Sequence, residues 1–297
     1  MRLLVAVDFS NSSETVISGI ESRPWPAGTE ARVLNVLDIT SMRGLVHPGT
    51  VIEEQRYEAH RLADALAARL YAAEIDATSD VILDLPRSAI PAYAKQWCAD
   101  FIILGSHRHT DLIRFLLGSV AGSVLRKSTC SVEIVRAAPA SVGSPDLMKV
   151  LLATDGSSDS QAAARSIASR PWPPGSEFKV VCFADLPPFC LPPDAAVEHD
   201  STLDGLRDEI IGKCDEAVEF AQSTLEGAGL DSLGAVTVGD PGIGIMHEAS
   251  RWGARLIVLG SHGVNGAYGM LPGTTAETVA LHSHTSVEII RPAESLF

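Results

Sequence analysis

The same order of landmarks occurs twice along this chain, and that repetition limits the folds open to it. Asp8 recurs as Asp155, and Pro24-Trp25-Pro26 as Pro171-Trp172-Pro173, both 147 residues later. Gly105 recurs as Gly260, and Ser131-Val132-Glu133-Ile134-Val135-Arg136 as Ser286-Val287-Glu288-Ile289-Ile290-Arg291, both 155 residues later. The eight extra residues of the second copy belong between these landmarks. The expected place is the loop and long helix after the second strand, where insertions cost little. Ala137 to Pro145, rich in Ala, Ser, Gly and Pro, reads as the linker. Two domains are expected, 1–138 and 147–297.

Within the first copy, short apolar runs alternate with helical spacing. Leu3 to Val7, Val33 to Leu37, Val81 to Leu83, Phe101 to Leu104 and Val132 to Val135 read as strands. Helices are predicted around Ile17 and Ile20, from Ile52 to Glu74 after a loop over 38–51, from Pro86 to about Trp97, and from Val120 to Lys127. Unbroken apolar runs suit strands covered on both faces, so each copy is expected to be a doubly wound, parallel-sheet α/β domain. Ligands of such sheets bind outside the carboxyl ends of the strands. Trp25 and Trp172, in equivalent Pro-Trp-Pro turns, are expected to pack.

The chemistry concentrates at one such end. Leu256-Ile257-Val258-Leu259 runs into Gly260-Ser261-His262-Gly263, and Gly273-Thr274-Thr275 follows where a helix over roughly 276–281 would begin. Glycines there allow positive φ or close approach of the backbone to a ligand, and free N–H groups at a helix start attract anions. The spacing Gly-x2-Gly-x9-Gly-Thr matches neither the dinucleotide nor the P-loop fingerprint. The first copy departs from it: Arg108 stands for Gly263, Asp84 for Gly239, and Phe9 follows Asp8 where Gly156 follows Asp155. The glycines could also serve only as a tight turn, and Asp155 only as a helix cap.

Composition narrows the function. The formal charge is -14, with 14 basic against 17 acidic residues over 1–146 and -11 in the remainder, which opposes binding to nucleic acid. No apolar run approaches a membrane span and the first strand begins straight after Met1-Arg2, so a cytoplasmic protein without a membrane partner is expected. The five cysteines, Cys98, Cys130, Cys182, Cys190 and Cys214, form no Cys-x-x-Cys pair and are expected to be buried, reduced thiols. His107-Arg108-His109 and His282-Ser283-His284 lack further ligands, so no metal site is assigned. No Gly-x-Ser-x-Gly elbow, kinase signature or cradle lysine is present, and no catalytic residue is assigned.

These residues together resemble the universal stress protein family in its tandem, two-domain form, with adenine nucleotide alpha hydrolase-like domains. Gly260-x2-Gly263-x9-Gly273-Thr274 is similar to the ATP-binding signature of that family's nucleotide-binding branch, and Val238-Gly239-Asp240-Pro241 also matches. The resemblance implies that Ala153, Thr154 and Asp155 approach ribose and base. It implies that Gly260, His262 and Gly263 hold ribose and phosphates, and that Gly273, Thr274 and Thr275 receive the phosphate tail. The adenine-contacting position falls on Phe183, where a smaller aliphatic residue is expected. The implied function is an ATP-binding stress-response regulator, acting as sensor or scaffold with an unidentified protein partner, its nucleotide held mainly by the second domain. Mg²⁺ could accompany ATP at Asp155. A slow ATP hydrolase and a non-binding scaffold are the alternatives. The halves are expected to pair through their last strands as an intramolecular pseudo-dimer, with further homodimerisation left open.

Overall fold

The structure, a computed structural model, describes residues 1–38, 40, 48–106, 117–137, 147–187, 201–263 and 273–292. In the first half β1 (Arg2–Val7), β2 (Glu30–Asp38), β3 (Asp76–Asp84), β4 (Phe101–Gly105) and β5 (Ser131–Val135) alternate with α1 (Asn11–Glu21), α2 (Pro48–Ala72), α3 (Pro86–Trp97) and α4 (Ser119–Lys127). The second half repeats the order with β6 (Lys149–Ala153), α5 (Ser158–Ala168), β7 (Glu177–Ala184), α6 (Ser201–Glu226), β8 (Ser232–Val238), α7 (Pro241–Trp252), β9 (Leu256–Gly260), α8 (Thr274–His282) and β10 (Ser286–Ile290).

All ten strands form one sheet in the order β3-β2-β1-β4-β5-β10-β9-β6-β7-β8. Pairing is parallel within each half and antiparallel only between β5 and β10. Ala31 pairs with Ala77, and Phe178 with Ser232, so the inserted residues lie between β7 and β8. Alternate side chains serve opposite faces. Leu3 and Val5 join a core under α1, α2, α5 and α6, while Leu4 joins the core under α3, α4, α7 and α8. Elements run a few residues beyond the expected bounds, and two starts differ most. Helix α2 starts inside the presumed loop, and β3 starts at Asp76 rather than Val81. As an edge strand, β3 is only partly covered, so its early residues carry no apolar run to read.

The join between the halves is charged. Glu133 lies directly opposite Glu288 across the antiparallel pair. Arg23 bonds Glu133 and, at 3.1 Å, Glu288, while Arg170 grips Glu288 at 2.9 and 2.7 Å. All four side chains are at most 5% exposed. Burial pushes both carboxyls up. In Glu288 the charges of Arg170 and Arg23 together outweigh it and hold the group below the usual carboxylate range. In Glu133 burial prevails over the pull of Arg23, and the nearby Glu288 adds to the rise. The Pro-Trp-Pro turns supply the packing expected of them. Trp25 and Trp172 each donate Nε1–H to the last turn of the preceding helix at 3.0 Å and stack on Arg23 and Arg170.

Candidate functional site

In the second half β6 pairs with β7 on one side and β9 on the other, so the strand order reverses between β6 and β9. A crevice must open at the carboxyl ends of these two strands. A cavity of about 1020 Å³ lies there, and all ten residues singled out by sequence line it: Ala153, Thr154, Asp155, Phe183, Gly260, His262, Gly263, Gly273, Thr274 and Thr275.

Asp155 is fixed by the turn that follows it. Its Oδ1 accepts the Ser157 N–H at 3.0 Å and lies 2.6 Å from Ser157 Oγ, across Gly156 at φ +80°. Only glycine adopts that backbone without strain, and Phe9 at the matching position of the first half shows no positive φ. Ser157 also caps α5 by accepting the Ser160 N–H at 3.2 Å, and its hydroxyl lies 3.1 Å from the His262 carbonyl. Asp155 thus orients the capping serine, and Ser157 joins the two sides of the crevice.

Gly260 and Gly263 serve close approach rather than positive φ, whereas a Cβ on Gly273 would meet nothing nearer than 3.5 Å. A Cβ on Gly260 would stand 2.6 Å from the backbone of Asp159 and Ser160, and one on Gly105 would meet Ser12 at 2.7 Å. Glycine at this position is therefore demanded by helix-on-strand packing in both halves. Gly263 differs: its Cβ would fall 2.6 Å from Asp155 Oδ2, in the mouth of the cavity. Its counterpart Arg108 lies outside the described residues, as do His107, His109, Cys190 and most of the linker.

Asp159, which sequence reasoning did not single out, holds the cradle. Its Oδ2 accepts from Ser261 Oγ at 2.6 Å and from the His262 N–H at 3.0 Å, and lies 3.0 Å from His262 Nδ1. The Ser261 hydroxyl lies 2.9 Å from the same Nδ1. The Gly273 N–H donates to the Ser261 carbonyl at 2.7 Å and ties the start of α8 to the same strand end. Helix α8 begins at Thr274 with no side-chain cap from Gly273, so its first-turn N–H groups have no partner within the helix and stand over the cavity.

Phe183 lies in the wall with its ring against α7. A Cβ on Gly244 would stand 2.3 Å from Phe183 Cε1, so the missing side chain there makes room for the ring. The first half has Val36 and Ala89 at the two matching positions, a paired exchange of bulk. Helix α6 adds Ile210, Lys213 and Cys214, which share a face at i, i+3 and i+4. Lys213 lies 2.6 Å from Glu209, whose hydrogen bond pushes the ammonium up and keeps it charged. Helical spacing alone could have shown that α6 turns these residues one way, but not toward which strand end. Of the cysteines, Cys182 and Cys214 are buried as expected and burial pushes the Cys182 thiol up. Cys98 is exposed, at the C-cap of α3, where its backbone is left-handed at φ 53°.

In the first half Asp8 accepts from the Ser10 N–H at 3.0 Å, repeating the Asp155 turn. Asp84 binds the next N–H, of Leu85, at 2.6 Å. Arg87 reaches Ser119 Oγ at the start of α4 at 3.0 Å, where the second half has Gly242 and Thr274. A side chain thus approaches the helix start that glycine leaves open in the second half.

Comparisons with known proteins agree with this architecture. The chain is 25% identical over 221 residues to Universal stress protein Rv2005c of Mycobacterium tuberculosis, covering 73% of this chain and 70% of the relative. Its fold is similar to the crystal structure of a universal stress protein from Archaeoglobus fulgidus, at TM-score 0.67 and 21% identity over 99% of this chain and 97% of that one. A putative universal stress protein from Pseudomonas aeruginosa is similar at TM-score 0.62 and 16% identity over 99% and 94%. The model of the Universal stress protein family matches residues 1–136 and again 147–291, so the chain belongs to that family and carries two of its domains in tandem.

Proposed function

We propose that the chain is an ATP-binding regulatory protein of the stress response, with one nucleotide held by the second half and the first half serving as scaffold. The observation that carries this reading is the convergence of Asp155, Gly263 and the uncapped start of α8 on a single cavity of about 1020 Å³. Ligand sites commonly occupy about 300–1,000 Å³, so the space suffices for a nucleotide. The donor set fits as well. The N–H groups of Thr274 and Thr275 suit a phosphate tail, Lys213, paired with Glu209, stands at the wall, and Gly263 leaves the mouth clear. Asp155 offers one carboxylate to a Mg²⁺ ion, which usually takes its remaining ligands from phosphate and water. Phe183, laid against Gly244, lines the base end without filling it.

Regulation requires that nucleotide favour one conformation over another. The test is hydrogen exchange of the nucleotide-stripped protein with and without Mg·ATP. The expected result is slowed exchange at residues 155–160 and 273–277, lost in Gly263→Arg. Unchanged exchange at saturating Mg·ATP would overturn the proposal.

A further inference from the structure

We propose a redox modification site in the wall of the second-half crevice, where Cys182 and Cys214 join in a disulfide under peroxide and so weaken ligand binding there. Cys182 lies on β7 and Cys214 on α6, and both line the cavity of about 1020 Å³. They belong to one buried cluster, at 2% and 8% exposed. Burial, followed by a hydrogen bond with Cys214, keeps the Cys182 thiol protonated. Neither thiol has a counterpart in the first half. The 147-residue offset places Asn35 at the position of Cys182, and the 155-residue offset places Ala59 at that of Cys214. The second match also sets Ala63, Leu66 and Leu70 on Val218, Ala221 and Leu225, all of them buried. One buried thiol is an ordinary packing residue, but two that meet across packed elements can bond to each other.

The cavity gives a small oxidant its way in. A protonated, buried thiol is a poor first target, which leaves Cys182 the resolving role and Cys214, the more exposed sulfur, the first to react. The Cys214 sulfur takes one oxygen from hydrogen peroxide and becomes a sulfenic acid, and water leaves. The Cys182 sulfur then displaces that hydroxyl: the S–S bond forms, the S–O bond breaks, and the Cys182 proton departs with the hydroxide as a second water. Both sulfurs are oxidised and the peroxide is reduced. The bond brings the sulfurs closer than contact and pulls α6 onto β7. Helix α6 also lies against the turn that fixes Asp155, since a Cβ on Gly156 would stand 3.3 Å from the Cβ of Ala217, one turn after Cys214. Phe183 and Lys213, next in sequence to the two cysteines, line the same cavity. Oxidation therefore moves the wall and the Asp155 turn together. Its effect on nucleotide rests on the reading of that cavity given above; the bond itself does not.

The test treats the nucleotide-stripped full chain, Cys214→Ala and Cys182→Ala with hydrogen peroxide, digests them without reduction and maps the peptides by mass spectrometry, with melting curves as a folding control. The expected result is a peptide pair cross-linked through Cys182 and Cys214 in the parent chain, absent from both variants and released by dithiothreitol. Calorimetry with Mg·ATP should then show affinity lowered about fivefold or more in the oxidised parent, the low end of a typical coupling between sites. Dithiothreitol should restore it, and peroxide should not move the affinity of Cys214→Ala. No cross-link in folded parent protein, or cross-links from either cysteine to a different one instead, would overturn the proposal. A cross-link that leaves Mg·ATP affinity unchanged would overturn its regulatory part. Failure of the reduced chain to bind Mg·ATP would strike the nucleotide reading, while the cross-link, read by mass, still decides whether the site exists.

Discussion

Removing the carboxylate of Glu288 should cost far more than removing that of Glu133, although the two face each other in one buried cluster. Glu288 accepts at 3.1 Å from Arg23 and at 2.9 and 2.7 Å from Arg170. Glu288→Gln turns an amide N–H₂ toward guanidinium donors and leaves Arg170 buried without its carboxylate. Breaking a buried pair from one side costs about 3–5 kcal/mol. Glu133→Gln loses one charge-assisted bond to Arg23, about 1.5–3 kcal/mol, but relieves a carboxyl that burial already pushes up. Its net cost should stay below about 2 kcal/mol. Urea unfolding followed by circular dichroism and tryptophan fluorescence reads both, with coincident transitions and an unchanged slope making the midpoints comparable. Equal costs, or a larger cost for Glu133→Gln, would refute the assignment of Glu288 as the shared acceptor.

The same cluster predicts an acid response. Glu288, held low, contributes stability above the unfolded carboxyl pKa of about 4.3 that is lost as pH falls through its folded value, whereas Glu133, held high, contributes below that range and loses it as pH rises. The two windows adjoin at that value. Above about pH 4.3 acidification should therefore add stability to the parent chain that Glu133→Gln lacks, while below it both should fall in parallel as Glu288 takes up its proton. Curves that run parallel above about pH 4.3 as well would count against it. Gly244→Ala should drive Phe183 off α7 and cost roughly 1–3 kcal/mol, with Phe183→Val recovering most of it, since Val36 and Ala89 coexist in the first half. Additive effects in that double-mutant cycle would contradict the compensation. Asp159→Ala should destabilise by about 1–3 kcal/mol, because Ser261 is fully buried and its hydroxyl loses its acceptor, and a neutral effect on melting would argue against its role as clamp.

Much of this molecule was legible in the sequence because its signals are local or repeated. Apolar runs and Pro-Trp-Pro turns announced parallel strands in two copies, and the glycines after Leu259 lie at the strand end where the cavity of the second half opens. What escaped depends on which residues meet across the fold. Glu133 and Glu288 sit inside apolar strands, where one charged residue ordinarily marks a solvated face; only the pairing of β5 with β10 brings both against Arg23 and Arg170. Asp159 reads as one more acidic residue at a helix start until the cradle folds over it. The reason for Gly260 was also hidden, since the packing of α5 on β9 demands it whether or not a ligand binds. Phe183 looked too large for its place because Gly244, 61 residues away, makes the room.

The central claim is that one half of a duplicated chain holds nucleotide. Calorimetric titration of nucleotide-stripped protein with Mg·ATP tests it most directly, read as sites per chain. The account predicts one site, abolished by Gly263→Arg. Two sites would show that Arg108 is tolerated and the first half binds as well, and no binding at all would contradict the account.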